Sequence, residues 1–164
     1  MPRSVSLSVR LATRADASEF LALIQALADY EALSGPTEAA KERLVVDAFD
    51  CQPPRFFVHL AFEENNPEPL GYTITFFTYS TFLAKPTLYL EDFFVRPEAR
   101  SKGAGSALFD FQVREAKRLG CGRLEWTCLD WNTLAQGFYE KRGAHHLDDW
   151  RVYRLTEEDF TRWN

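Results

Sequence analysis

Residues 88–111 read LYLEDFFVRPEARSKGAGSALFDF. Two adjacent acids, Glu91 and Asp92, sit inside an apolar run, and a glycine-bearing turn and an amphipathic stretch follow. A continuous apolar run of this length belongs to a strand covered on both faces of a sheet. A carboxylate there is costly unless it is paired or used. The stretch from Ala104 to Leu119 carries Ala104, Ala107, Leu108, Phe111 and Leu119 at helical spacing, and Gly120 stands where a C-cap belongs. The feature thus predicts a buried strand, a glycine turn and a helix packed back on the sheet. Such a turn presents backbone N–H groups and the positive end of a helix to an anion.

The rest of the chain supplies a matching framework. Val5 to Leu11 alternates at strand period. Thr13 and Asp16 open a helix whose apolar stripe is Phe20, Leu23, Ile24 and Leu27. A second helix is expected over Glu38 to Phe49. Strands are expected over Phe56–Phe62 and Gly71–Tyr79, joined by the turn ENNPEPLG. Leu88–Val95 is the next strand, and Arg123–Leu129 another. A helix over Asn132–Arg142 stops at Gly143. The alternation of WRVYRL (Trp150–Leu155) predicts a last strand, and Thr156–Trp163 a short terminal helix. The order describes one α/β (α+β) domain spanning 1–164.

Composition excludes several classes. A net charge of −5 argues against a nucleic-acid partner. The opening MPRSVSLSVRLATRAD lacks the apolar core of a secretion signal, and no apolar run of about 18 residues is present, so no membrane association is expected. The three cysteines, Cys51, Cys121 and Cys128, form no CxxC pair, and the histidines lack ligand spacing. Neither a disulfide framework nor a metal site is expected, and reduced thiols in the cytoplasm are.

Which anion the turn would hold is decided by spacing. A Walker A loop is absent, and Leu108 stands where the third glycine of a dinucleotide fingerprint would be. What remains is R-x-x-G-x-G: Arg100, Gly103 and Gly105. Alone it is more often a structural turn than a phosphate site. A second stretch, LDWNTLAQGFYEKRGA (Leu129–Ala144), places Asn132, Ala135 and Tyr139 on one helix face, while Leu134 and Phe138 read as core.

Together the two motifs resemble the acetyl-CoA loop and the last motif, N-x-x-A-x-x-x-Y-x-x-x-G, of the GCN5-related N-acetyltransferases. ADYE (Ala28–Glu31), FTY (Phe77–Tyr79), LYLEDFFV (Leu88–Val95), FYEKRGA (Phe138–Ala144) and WRVYRL look like the spermidine/spermine and thialysine branch of that superfamily. The resemblance covers nearly the whole chain. It implies a mixed, mostly antiparallel central sheet flanked by helices and splayed at the acetyl-CoA site. It also implies acetyl-CoA as co-substrate, no metal, a small primary amine as acceptor, and a homodimer. Cofactor contacts are implied at Phe93, Phe94 and Val95, at Arg100, Ser101, Lys102, Gly103, Ala104, Gly105 and Ser106, and at Asn132, Thr133, Leu134, Ala135 and Arg142. Substrate contacts are implied at Tyr30, Glu31, Glu91, Glu125, Trp126, Thr127 and Asp148. Two departures stand out. Ser101 replaces the family's usual glycine and carries strain if that position needs positive φ. The segment between Gly143 and Trp150 is also shorter than in the animal enzymes, leaving Asp148 and Asp149 as its acids.

The chemistry asks for particular groups. An alkylammonium has a pKa near 10.4, so only about one molecule in 10³ is neutral at pH 7.4, a handicap of about 4 kcal/mol. Glu91 is the candidate proton acceptor, through a water or directly; a charge paired with a core Arg is the bland alternative. In a regular strand Asp92 points to the opposite face, where it fixes backbone or subunit contacts. Backbone N–H groups of Phe93–Val95 suit the oxyanion. Tyr139 is the candidate general acid for the leaving thiolate. The expected activity is acetyl transfer to a polyamine, diamine or lysine-like amino acid such as thialysine or ornithine. A protein or peptide acetyltransferase and a non-catalytic acyl-CoA-binding module are the alternatives.

Overall fold

A computed structural model describes residues 6–163; the predicted strand start at Val5 lies outside them. The chain forms two compact units, divided after Thr127.

The first unit is built on a five-stranded sheet whose spatial order follows the chain: β1 (Leu7–Leu11), β2 (Phe57–Glu63), β3 (Gly71–Ser80), β4 (Lys85–Val95) and β5 (Arg123–Glu125). The first four pair antiparallel and β5 joins β4 in parallel. A parallel neighbour needs a long crossover. Here it is α3 (Ala104–Arg118). Between β1 and β2 run α1 (Ala17–Tyr30) and α2 (Glu38–Val45), the latter continuing as a π-helical turn, Val46–Asp50. The start of α1 is fixed by Asp16, which accepts from the Thr13 N–H (2.8 Å) and makes a two-pronged pair with Arg10 at 2.8 Å. That pair holds the Asp16 carboxyl well below the usual carboxylate range.

Each sheet face has its own core. On one, Phe20 and Leu23 of α1 pack on Val58, Leu60, Tyr72, Ile74 and Phe94. On the other, Ala104 and Leu108 of α3 pack with Ala61, Leu70 and Ala99. β2 is buried along Val58–Ala61 because both its faces are covered.

The α3 face contains one polar knot. Gln112 is fully buried; its Nε2 donates to Thr73 Oγ1 at 2.7 Å and lies 3.1 Å from His59 Nδ1, while its Oε1 has no partner. The His59 ring leans on Phe111 with centroids 4.7 Å apart. Burial lowers the His59 pKa to about 4, against the opposing charge of Glu115. The folded protein therefore holds His59 neutral where the unfolded chain binds a proton. This contribution to stability is present above the unfolded pKa of about 6.5 and is lost as pH falls toward 4, by about 3 kcal/mol. Urea unfolding of His59→Gln across that range is expected to lack this component, read as the difference from wild type.

The second unit holds α4 (Thr133–Glu140) and α5 (Glu157–Phe160). The Asn132 side chain caps α4, accepting from the Ala135 N–H at 3.1 Å, and Gly143 ends the following turn at φ 82°. Two sequence expectations need correction. β5 stops at Glu125 rather than Leu129, because the β4 ladder that pairs it runs only from Thr87 to Tyr89. Trp150–Leu155 is not a strand: the alternation is there, but among the described residues no neighbour supplies a ladder, and Trp150, Val152 and Tyr153 are 74–86% exposed.

Candidate active site

β4 is not regular where the two acids stand. Ile74 faces Asp92 and the next pair is Thr75 with Leu90, so Glu91 is the extra residue of a β-bulge. Without the bulge Leu90 and Asp92 would share a face. With it, Leu90 lies opposite Thr75 while Asp92 joins Phe94 on the α1 face, where the Tyr72 hydroxyl donates to its Oδ2 at 2.9 Å. The strand is therefore not regular at Asp92, and the expectation of a regular strand there is corrected. Asp92 was passed over as a site residue; the adjacent acids were the signal, and the bulge was invisible to periodicity.

Burial raises the Asp92 pKa to about 6, the charges of Glu91 and Glu31 push the same way, and the Tyr72 hydrogen bond opposes them. Glu31 follows α1, and Glu91 is exposed. The charges of Glu31 and Glu91 thus both act on the Asp92 carboxylate. Because the folded pKa of Asp92 is raised, its contribution to stability grows as pH falls through 6, opposite in sign to that of His59.

The strand's two edges differ. β3 pairs with β4 through Val95, whereas the described β5 ladder ends at Tyr89, so from Leu90 onward β4 is paired on the β3 side alone among the described residues. Gly71 faces Val95 at the far end; a Cβ there would meet the Phe94 carbonyl oxygen at 2.4 Å. The reading of the sequence left this glycine unremarked as a strand start.

The turn after β4 is shaped by a short 3₁₀ segment, Pro97–Ala99, and by two left-handed residues, Ser101 (φ 67°) and Gly103 (φ 91°). Ser101 therefore occupies a position that favours glycine, at a cost of about 1 kcal/mol. Ser101→Gly is expected to stabilise the fold by about 0.5–1 kcal/mol, read as a rise of about 2 °C in Tm. Gly103 begins α3 without a capping side chain, and Ala104 is buried behind it, with Gly105 and Ser106 in the first turn. These first-turn amides and the helix dipole suit a pyrophosphate. Arg100 donates from Nε to the Val95 carbonyl (3.3 Å) and lays its guanidinium over the Tyr30 ring at 4.6 Å. It thereby ties the loop to the end of α1. Lys102 pairs with Glu63 at 3.5 Å.

The remaining sites predicted from sequence fall as follows. Glu125 lies on β5, 3.5 Å from Arg123. The Trp126 ring meets Phe109 edge-on at 5.5 Å, and Thr127 is exposed. In the second unit, Thr133, Leu134 and Ala135 form the first turn of α4, with Leu134 65% exposed rather than core. Burial raises the Tyr139 phenol above its ordinary range, keeping it protonated. Arg142 folds back on its own helix, 3.7 Å above the Phe138 ring. Asp148 is exposed beside His146 at 3.4 Å.

A glycine turn with left-handed residues enters a helix from a bulged strand, an arrangement that presents first-turn amides to an anion. The fold agrees: a solved probable acetyltransferase superposes with a TM-score of 0.79 at 19% identity, over 91% of this chain and 97% of that one. The sequence model of the Acetyltransferase (GNAT) family matches residues 21–144. A thialysine N-epsilon-acetyltransferase from Bos taurus is 34% identical over 92% of each chain. The L-ornithine N5-acetyltransferase NATA1 of Arabidopsis thaliana is 44% identical over 86 residues, 52% of this chain and 38% of that protein. The chain belongs to the GNAT acetyltransferase family. It is an enzyme of that class, with acetyl-CoA as co-substrate. Among the described residues no cluster of three or more metal-ligating side chains occurs, and no helix is long and apolar enough to cross a membrane.

Proposed function

We propose that residues 1–164 form one N-acetyltransferase domain that moves the acetyl group of acetyl-CoA to a primary amine of a small polyamine, diamine or lysine-like amino acid. The observation that carries this reading is the half-buried Asp92 on β4, bonded to Tyr72 and adjoining the exposed Glu91, with the Glu31 charge acting on the same carboxylate. Acids whose fields act on one another suit an acceptor with more than one ammonium group. The similarity to enzymes named for thialysine and ornithine supports the same class of acceptor.

The pyrophosphate lies on the amides of Ser101–Ser106, with Arg100 behind them. Asn132, Thr133, Leu134, Ala135 and Arg142 carry the remaining cofactor contacts. Glu31, Tyr30, Glu125, Trp126, Thr127 and Asp148 serve the acceptor. Glu91 takes the ammonium proton through a water. The free amine attacks the thioester carbon, and N–H groups of Phe93–Val95 hold the tetrahedral oxyanion. Collapse breaks the C–S bond, and Tyr139 gives its proton to the leaving thiolate. Cys51 and Cys121 are free thiols, which suits a cytoplasmic setting. The exposed β3–β4 hairpin, with Tyr79 63% and Phe82 99% accessible, suits a homodimer face; sedimentation velocity tests it, a monomer at micromolar concentration counting against it.

The test of the activity is thiol release from acetyl-CoA across spermidine, spermine, diamines, ornithine, lysine, thialysine and a basic peptide. Turnover is expected with a small diamine or lysine-like amine, with Glu31→Gln raising KM for dications more than for monoamines. Turnover with the peptide alone would overturn the reading.

A further inference from the structure

Tyr72 stands out among the residues the reaction does not use. It is 0% exposed, and its hydroxyl sits among the hydrocarbon side chains of Phe20, Leu23, Leu60, Ile74 and Phe94. A phenylalanine would fill nearly the same volume without an O–H to satisfy. The ring is held edge-on by Phe20 at 6.3 Å and Phe94 at 6.4 Å, so the hydroxyl has one direction to point. It points at Asp92 Oδ2, 2.9 Å away, diagonally across the β3–β4 ladder in which Tyr72 faces Phe94.

We propose that Tyr72 is a positioning residue for acetyl transfer: from beneath the sheet its hydroxyl orients Asp92 and keeps it an anion behind Glu91. The proposal rests on the acetyl-transfer reading above. Asp92 needs this help. The charged groups acting on it, Glu31 from the end of α1 and Glu91 from β4 itself, are both negative and, with burial, favour its neutral form. A neutral acid there would draw an ammonium far less than a carboxylate. The Tyr72 bond is the influence that opposes neutralisation. Burial and the neighbouring Asp92 charge push the phenol upward, so it remains a donor across the working pH range.

The test is Tyr72→Phe, which keeps the ring contacts and removes one oxygen. In ligand-free protein, the ¹³Cγ resonance of Asp92 is titrated by NMR; its midpoint, near 6 in wild type, is expected to rise by about one pH unit. The acid limb of kcat/KM for the preferred amine is expected to rise with it, and kcat/KM to recover above the new midpoint. An unmoved titration would show a merely structural tyrosine and overturn the proposal. A moved titration with a stationary acid limb also overturns it, because the charge of Asp92 is then not used. Wild-type silence with every amine, while the titration still moves, overturns the catalytic claim through the reaction rather than through Tyr72. Should Tyr72→Phe not fold, Asp92→Asn in the full chain decides: loss of the acid limb near 6 supports the proposal and its retention sinks it.

Discussion

Tyr139→Phe is expected to lower kcat about 10²-fold while acetyl-CoA binding stays within about twofold. A general acid contributes typically 10²–10⁴-fold, and 10²-fold corresponds to about 2.7 kcal/mol in the barrier. The phenol suits the role because burial keeps it protonated at neutral pH. The phenylalanine keeps the ring against Phe138, whose centroid lies 5.6 Å away, and removes the hydroxyl. Stopped-flow separation of chemistry from product release reads the effect directly. Unchanged single-turnover rates would remove Tyr139 from the reaction and leave the thiolate to solvent.

The second large effect is structural. Gly71→Ala places a methyl group 2.4 Å from the Phe94 carbonyl oxygen and 3.0 Å from Val95 Cα. Both obstacles are backbone, so no side chain can swing aside. The strand pair must part where the Phe93–Val95 amides stand, at a cost of about 1–3 kcal/mol by comparison with overpacked cores. The expected result is a fall of several degrees in Tm and a KM for acetyl-CoA that rises more than the KM for the amine. A variant with unchanged Tm and unchanged acetyl-CoA KM would mean that the β3–β4 contact at Gly71 is looser than the geometry requires.

Much of the framework can be read from local pattern. Helix α3, its glycine entry and its C-terminal glycine follow from spacing and φ preferences, which are properties of a few neighbouring residues. The strain at Ser101 was expected only through the resemblance, which puts a glycine there, and on the condition of a positive φ; at 67° the condition is met. The strands β1 to β4 follow from alternation and burial.

Local pattern fails where a partner decides. Trp150–Leu155 alternates like a strand, yet a strand exists only when another ladder meets it. Leu134 and Phe138 share an apolar side of α4, but that says nothing of what covers it. The sharpest case is Glu91 and Asp92. Alternation assigns faces by parity, and one extra residue in β4 reverses parity from that point on. The sequence by itself therefore determined that two acids lie on the strand entering a glycine loop, and that the strand must be covered. Only the tertiary structure decided which acid is half-buried, that Tyr72 holds it, and that Glu31 shares its field, because register and burial are set by the opposing strand and the helix above it.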